Sequence, residues 1–197
     1  MSNAVIVEER GSAIIVRFNR PENRSPLSIE VLERLSEIIG DVEGRRDVEP
    51  LIFTGVGNIF AAGADLREIA QLSSGDVHAF ARRGQNVLNR IAELGVPTIA
   101  AINGVCFGGA LDLALACERR VASNDAVFSH PGANLGIITG WGGTQRLPRL
   151  IGEANALEMF FTARRVTAAA ALRMRLIDEI SADVVEAALQ TANAQPT

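Results

Sequence analysis

The chain has 197 residues, and its 19 Lys and Arg against 23 Asp and Glu give a formal net charge of -4. Hydrophobic residues make up 48% and charged residues 21%, which is ordinary for a globular protein with one sizeable core. This balance gives no electrostatic reason to expect a nucleic-acid or anionic-membrane partner. No apolar run approaches the roughly 18 to 20 residues of a membrane span.

The cysteines and the N-terminus indicate the setting in which the protein works. Cys106 and Cys117 both lie in apolar stretches, which does not suggest a disulfide framework. The opening "MSNAVIVEERG" lacks the basic-then-apolar layout of a signal peptide. We therefore expect a reducing, cytoplasmic setting. We see no linker that would divide the chain, so residues 1–197 are expected to form one domain.

The first part of the chain predicts two strands, a helix and a third strand. "AVIVEE" and "AIIVRF" read as strands joined by a turn, and "FNRPENRSPLS" as a polar loop. Ser28 is expected to cap a helix whose apolar residues recur at helical spacing from Val31 to Ile39. A buried strand, "LIFTG", then leads into the glycine-rich turn "GVGNIFAAGAD", which opens the short helix "LREIAQL".

The second part begins with a long amphipathic helix over residues 76–94, which Pro97 ends. The buried strand "TIAAI" and a second glycine-rich turn, "NGVCFGGALD", follow. The strand "AVFS" precedes a third glycine-rich loop, "GIITGWGG". We predict helices near 144–151, 154–163 and 167–175, then an alanine-rich helical segment that ends in the polar tail "NAQPT".

Two of the glycine-rich turns share one plan. "LIFTGVGNIFAAGADL" and "IAAINGVCFGGALDL" each run from an apolar strand through a short loop and a pair of small residues into a helix with an Asp. If the two units are parallel neighbours, the N–H groups at both helix starts converge on one cleft, and such a pair of donors forms an oxyanion hole. Asp112 lies three residues after Gly109 and would face the same side, where it could move a proton next to the polarised carbonyl.

Two plainer explanations of these residues remain open. Gly108 and Gly109 could serve close strand–helix packing, and Asp112 could pair with Arg119 or Arg120. A dinucleotide site, a P-loop phosphate site and a nucleophile elbow are excluded, because the chain contains no G-x-G-x-x-G, no G-x-x-x-x-G-K-[ST] and no G-x-S-x-G motif.

A larger set of segments resembles a known family. The chain is similar to the crotonase superfamily, or enoyl-CoA hydratase/isomerase family, from about residue 4 to about residue 180. The resemblance is carried by "FNRPENRSPLS", "GNIFAAGADLREI", "VPTIAAINGVCFGGALDLALACE", "AVFSHPGANLGIITGWGGTQRLPRLIG" and "ALRMRLIDEI". It implies an α/β fold of the ClpP/crotonase type, a spiral of ββα units with flanking helices. It also implies an acyl-CoA substrate, reactions through a thioester enolate, no metal, no cofactor beyond the CoA of the substrate, and assembly into homotrimers or hexamers.

The resemblance also implies roles for individual residues. The oxyanion donors would be the N–H groups of Ala64 and Gly109, Asp112 would stand for the first catalytic glutamate, and Gly140 would be a loop glycine that helps to hold a water or the acyl end. The loop around Arg20 and Arg24 would run along the CoA nucleotide. The remaining expected substrate-binding residues are Ala62, Asp65, Leu66, Phe107, His130, Gly132 and Trp141, and the apolar pocket would also include Phe60, Ile69, Ile137 and Ile138.

The chain departs from the family pattern at four points. Gly132 stands where the resemblance leads us to expect a second catalytic glutamate, and His130 could substitute for it. Asp112 is one methylene shorter than glutamate, which sets its carboxylate back by roughly 1.5 Å, a distance that matters for reacting groups. The C-terminal helices that form trimers in the family are expected to be largely absent. Arg175 stands where the family has a glycine at a left-handed helix end, at a cost of about 1 kcal/mol.

These features leave several functions open. We expect hydration or double-bond isomerisation of an enoyl-CoA, in fatty-acid or related acyl-CoA metabolism, and one base suffices for isomerisation. Thioester hydrolysis, decarboxylation and a catalytically silent CoA-binding protein are the alternatives. A serine peptidase on the related spiral fold is disfavoured, because the turn carries Cys106 and no serine.

Overall fold

The computed structural model describes residues 4–193. In chain order the strands are β1 (Val5–Arg10), β2 (Ala13–Phe18), β3 (Leu51–Gly55), β4 (Ile59–Ala61), β5 (Thr98–Ile102), β6 (Val105–Phe107), β7 (Arg119–Ala122), β8 (Val127–Ser129), β9 (Val166–Thr167) and β10 (Glu179–Ile180). The helices are α1 (Ile29–Glu43), α2 (Leu66–Ile69), α3 (Val77–Ala92), α4 (Gly109–Ala116), α5 (Gly143–Ile151), α6 (Glu153–Thr162), α7 (Ala168–Arg173) and α8 (Val184–Asn193). Two short 3-10 helices cover Pro21–Asn23 and Pro131–Leu135.

The strands form two sheets. The six-stranded sheet has the order β1-β2-β3-β5-β7-β10, and the four-stranded sheet has the order β4-β6-β8-β9. Only the β1–β2 and β8–β9 pairs among these are antiparallel. Every residue of β3 and β5 is buried, as expected for parallel strands covered on both faces.

From β3 to β8, consecutive strands alternate between the two sheets. Strand β3 lies in the large sheet and β4 in the small one, and the same step is repeated from β5 to β6 and from β7 to β8. Helices follow each of these strand pairs, so the chain winds as a spiral of ββα units. The predicted fold class, an α/β spiral of the crotonase type, is confirmed.

Apolar side chains fill the space between the sheets and the helices. The main core joins the large sheet, α1, α3, α4 and the small sheet, with Phe18 edge-on to Phe60 at 5.5 Å between ring centroids. Helix α8 packs on the opposite face of the large sheet, against Ile15, Ile52 and Ile99. Helix α1 begins as predicted, since the Ser28 side chain accepts a hydrogen bond from the Val31 N–H at 3.3 Å.

The predicted strands and helices are found close to their predicted positions, while β4, β6, β7, β9 and β10 were not predicted. Strand β6 is the three-residue "VCF" inside a glycine-rich turn, and β7 begins with two arginines, so neither shows a strand pattern. Arg175 does adopt the predicted left-handed conformation, with a φ of 63°. Within residues 4–193 no helix has the length and apolar character that crossing a bilayer requires. The single domain stays a prediction, and the tail beyond Asn193 lies outside the described residues.

Candidate active site

The two glycine-rich turns lie side by side. Strand β4 pairs in parallel with β6, so the turns that follow them meet at one edge of the small sheet. A methyl group built on Gly63 would lie 2.8 Å from the Gly109 nitrogen, and one built on Gly109 would lie 3.4 Å from the Ala64 nitrogen. The amide nitrogens of Ala64 and Gly109 are therefore neighbours, held together by backbone contacts that a side chain at position 63 would break.

Both amides point away from ordinary backbone partners. Gly109 is the first residue of α4, and the first N–H groups of a helix have no partner within it. Leu27 forms a parallel bridge with Ala64 and donates its N–H to the Gly63 carbonyl at 2.8 Å. In a parallel bridge such bonds use the peptide groups on either side of the bridged residue, so the Ala64 N–H remains available.

A cavity of about 390 Å³ opens in front of the two amides. Trp141 forms one wall, 3% exposed and packed so closely against α3 and α4 that a methyl on Gly84 would meet its ring at 2.3 Å and one on Gly109 at 2.5 Å. Most of the remaining lining is apolar. It includes Ala62, Leu66, Ile69, Leu72, Val77, Phe80, Leu135, Ile137, Ile138 and Phe160.

Asp112 lies beneath this cavity, fully buried on α4. Its Oδ2 accepts a hydrogen bond from the hydroxyl of Thr139, and its Oδ1 is so close to Gly143 that a methyl there would lie 2.0 Å away. Burial raises the pKa of Asp112 to about 6, while the Thr139 hydroxyl, the N–H groups of Trp141 and Gly143, and the charge of Arg146 act in the opposite direction. The ion-pair contact of Asp112 is with His130 and not with Arg119 or Arg120, and the guanidinium of Arg120 binds Asp178 and two backbone carbonyls instead.

His130 faces the same carboxylate from the end of β8. Its Nε2 lies 3.7 Å from Asp112 Oδ1, and its ring packs against Phe160 at 5.0 Å between centroids. Neither ring nitrogen has a hydrogen-bond partner among the described residues. Burial lowers the pKa of His130 to about 4, so the ring is neutral at neutral pH. His130 also lines the cavity.

The loop after His130 completes the cavity rim. Gly132 lines the cavity, and a Cβ added to it would lie 2.4 Å from the carbonyl oxygen of Ile137. A glutamate at this position would therefore require the loop to move. Gly140 lines the cavity as well, with its carbonyl accepting a hydrogen bond from the Gln85 side chain at 2.7 Å.

Other predicted site residues lie around the cavity or behind it. The loop with Arg20 and Arg24 runs beside the cavity wall, because the Ala62 N–H donates to the Arg24 carbonyl at 3.0 Å. Arg20 forms an ion pair with Glu30 at 3.0 Å. Asp65 caps α2 and binds Arg67 at 2.7 Å, which lowers the pKa of that carboxyl.

Two aromatic residues of the expected pocket lie elsewhere. Phe60 packs in the core, and Phe107 carries the guanidinium of Arg165 over its ring at 5.8 Å. Neither Phe60 nor Phe107 is among the described residues that line the cavity. Leu66, Ile69, Ile137, Ile138 and Trp141 do line it.

No sequence pattern indicated which residues hold the Asp112 carboxylate. Thr139 and Gly143 belong to the third glycine-rich loop and the start of α5, and only the packing of α4 against α5 brings them to the carboxylate. Within residues 4–193 no three His, Cys, Asp or Glu side chains cluster as metal ligands would.

The ββα spiral with two converging amides beside an apolar cavity is the architecture of crotonase-fold enzymes. A family model described as enoyl-CoA hydratase/isomerase matches residues 8–194, and the chain belongs to that family. A short-chain-enoyl-CoA hydratase from Clostridium acetobutylicum is 37% identical over 194 residues, which cover 97% of this chain and 74% of that protein.

Two further comparisons agree with this assignment. The human mitochondrial methylglutaconyl-CoA hydratase is 41% identical over 174 residues, covering 88% of this chain and 51% of that protein. A crystal structure of an enoyl-CoA hydratase from Bacillus anthracis superposes with a TM-score of 0.92 at 33% identity, covering 97% of this chain and 76% of that one. The chain thus spans between about half and three quarters of the length of these relatives.

Proposed function

We propose that the protein acts on enoyl-CoA thioesters and stabilises the thioester enolate, with hydration of the double bond as its reaction. The observation that carries the proposal is the pair of neighbouring amides, Ala64 and Gly109, at the wall of an apolar cavity. Two such donors aimed at a thioester oxygen are each worth about 3 to 4 kcal/mol of transition-state stabilisation, judged by the effect of removing one.

The cavity supports an uncharged acyl chain. Among the described residues that line it, none carries a formal charge at neutral pH, and the polar side chains are His130, Thr139 and Trp141. A carboxylate on the acyl chain would be buried there without a partner, which costs several kcal/mol. We therefore expect a hydrocarbon acyl group.

The CoA portion is expected to lie along the loop that contains Arg20 and Arg24. This loop is bonded to the cavity wall at Ala62 and Gly63, so a thioester whose carbonyl meets the two amides has its CoA arm next to the loop. Guanidinium groups bind phosphate well. No further cofactor and no metal enter the proposed reaction.

Proton transfer is assigned to Asp112. In hydration a base removes a proton from water as the oxygen attacks C3, and a proton is then delivered to C2. Isomerisation is the second candidate, because one base can carry a proton from C2 to C4 and Gly132 supplies no second carboxylate. His130 is the other titratable group at the cavity.

The assembly and setting belong to the proposal too. We expect a homotrimer or hexamer in the cytoplasm. Apolar side chains at the surface support assembly, among them Phe161, which is 76% exposed, and Leu157 on the same helix. The two buried free cysteines fit a reducing setting. Light scattering on the purified protein gives the oligomeric state, and a monomer at micromolar concentration contradicts this part.

The reaction is tested by following the absorbance of the conjugated enoyl thioester with wild-type protein and Asp112→Asn. Loss of the band from crotonyl-CoA indicates hydration, and a gain from a 3-enoyl-CoA indicates isomerisation. The matched control is Asp41→Asn, which is exposed on α1. If neither thioester reacts, the proposal is wrong, and release of free CoA from a saturated acyl-CoA then separates a hydrolase from a silent binding protein.

A further inference from the structure

Asp112 and the cavity are separated by another side chain. Asp112 is fully buried and lies outside the cavity lining, whereas Thr139 is half-buried and lines the cavity. The hydroxyl of Thr139 donates a hydrogen bond to Asp112 Oδ2. The hydroxyl of Thr139 therefore links the buried carboxylate to the cavity.

The neighbouring groups fix Thr139 in this position. A methyl on Gly143 would lie 2.8 Å from Thr139 Cγ2, so the start of α5 packs directly on the threonine. Among the described residues that line the cavity, Thr139 is the one with a hydroxyl group. A hydroxyl that donates to one group retains lone pairs with which it accepts from another.

His130 is the alternative link to the cavity. Both of its ring nitrogens are buried and lack partners, and its Nε2 lies on the Oδ1 side of the carboxylate. No hydrogen bond joins it to Asp112 at 3.7 Å. Thr139 alone of the two has a formed hydrogen bond to the carboxylate.

We propose that Thr139 is a catalytic residue that relays protons between the substrate and Asp112. The inference rests on the proposed function. As water attacks C3, its proton moves to Thr139 Oγ1 while the hydroxyl proton of Thr139 moves to Asp112 Oδ2. The C2=C3 electron pair shifts towards the thioester oxygen at the two amides. Asp112 then returns its proton to Oγ1, and the proton of Oγ1 goes to C2, so that neither residue is changed overall.

The test compares Thr139→Val, which keeps the shape and removes the hydroxyl, with Thr139→Ser, which keeps the hydroxyl. We expect Thr139→Val to lower kcat about a hundredfold or more, in the range of general acid–base catalysis, with KM within about twofold. Thr139→Ser should stay within about tenfold of wild type. Adding Thr139→Val to Asp112→Asn should cause little further loss. Thr162→Val, at the exposed end of α6, is the matched control.

A solvent isotope experiment separates relaying from mere support of Asp112. In mixtures of H2O and D2O, a step that moves two protons gives a curved plot of kcat against the deuterium fraction. We expect this curvature for wild type and its loss in Thr139→Val. Thermal unfolding shows whether each variant is folded, and Thr139→Ala replaces the valine variant if that one is not. If Thr139→Val turns over at the wild-type rate, or if kcat of the wild type depends linearly on the deuterium fraction, the relay is overturned and the proposed function is not. A wild type without turnover of either thioester overturns the proposed function and the relay together.

Discussion

Asp112 and His130 face each other across 3.7 Å in the interior, the carboxylate on α4 and the ring at the end of β8. Asp112 Oδ1 and both ring nitrogens lack hydrogen-bond partners within the described part of the chain. Burial shifts the two pKa values in directions that favour the neutral forms, upwards for the acid and downwards for the base.

This pair predicts opposite pH dependences of stability in two variants. Native Asp112, with a pKa of about 6 against 3.8 ordinarily, binds more protons than the unfolded chain between those values, so its contribution to stability falls as pH rises. Native His130, with a pKa of about 4 against 6.5, binds fewer protons, so its contribution rises with pH. In Asp112→Asn only the His130 contribution remains, so the free energy of unfolding should increase as the pH is raised from 4 to 6.5. In His130→Gln only the Asp112 contribution remains, so the free energy of unfolding should decrease as the pH is raised from 4 to 6. Each change should amount to up to about 3 kcal/mol.

Urea unfolding at pH 4.5, 5.5 and 6.5 measures these slopes. Asp41→Asn is the control and should follow wild type, in which the two contributions oppose each other. Slopes of the same sign in Asp112→Asn and His130→Gln would contradict the prediction.

The pH dependence of activity follows from the same carboxylate. If ionised Asp112 is the base, kcat should rise with pH through about 6 and level off above it. Because the Thr139 hydrogen bond lowers the pKa of Asp112, the residual activity of Thr139→Val should rise at a higher pH than that of wild type. Initial rates in buffers of constant ionic strength measure both profiles. A flat profile from pH 5 to 8 would exclude Asp112 as the base.

Gly143→Ala should displace the carboxylate. The added methyl would lie 2.0 Å from Asp112 Oδ1, so the side chain must move. Alanine suits the first turn of a helix better than glycine, and the loss therefore reports this clash rather than helix propensity. We expect a loss of about 1 to 3 kcal/mol in unfolding free energy and a lower kcat. Gly95→Ala, where a methyl meets nothing within 4 Å, is the control and should be neutral.

Gly132→Glu tests whether a second carboxylate can simply be added. The added Cβ would lie 2.4 Å from the carbonyl oxygen of Ile137. The N–H of Ile137 also donates a hydrogen bond to the Gly132 carbonyl at 3.0 Å, which holds the two residues together. We expect a loss of about 1 to 3 kcal/mol without a gain in hydration. Gly132→Ala carries the same Cβ without the carboxylate, and its stability should fall equally. A glutamate variant with wild-type stability and faster hydration would show that the loop adapts.

Substrate charge should decide turnover. A glutaconyl-CoA, whose acyl chain ends in a carboxylate, would bury that charge among side chains such as Leu72 and Phe80. We expect its kcat/KM to fall at least about a hundredfold below that of crotonyl-CoA. Comparable values for both thioesters would mean that a cation reaches the acyl chain in the complex.

The two glycine-rich turns could be found from sequence because they depend on local chemistry. Small residues after a strand and before a helix mark both turns, and the resemblance to the crotonase superfamily singles out Ala64 and Gly109 within them. The convergence of the two turns needed only the assumption that two similar units lie in parallel. The cavity-lining residues Leu66, Ile138 and Trp141 were expected in the pocket too, because they are apolar and lie in or next to the three glycine-rich segments. Phe60 and Phe107 were not distinguished from them, because a strand residue points to one of two faces and the sequence near a bulged turn does not say which.

The two glycine-rich turns and a carboxylate one helical turn after Gly109 can be predicted from the residues alone, whereas the α/β spiral is what the resemblance to the crotonase superfamily implies. The turns and the carboxylate follow from apolar periodicity and from the need for small residues near the backbone, which are properties of short segments. The packing of the folded chain accounts for the rest: Asp112 is buried behind Thr139, His130 faces it, and the loop has no room for a side chain at position 132. Such contacts join residues far apart in the chain, and they depend on how α4, α5 and the loop between them pack.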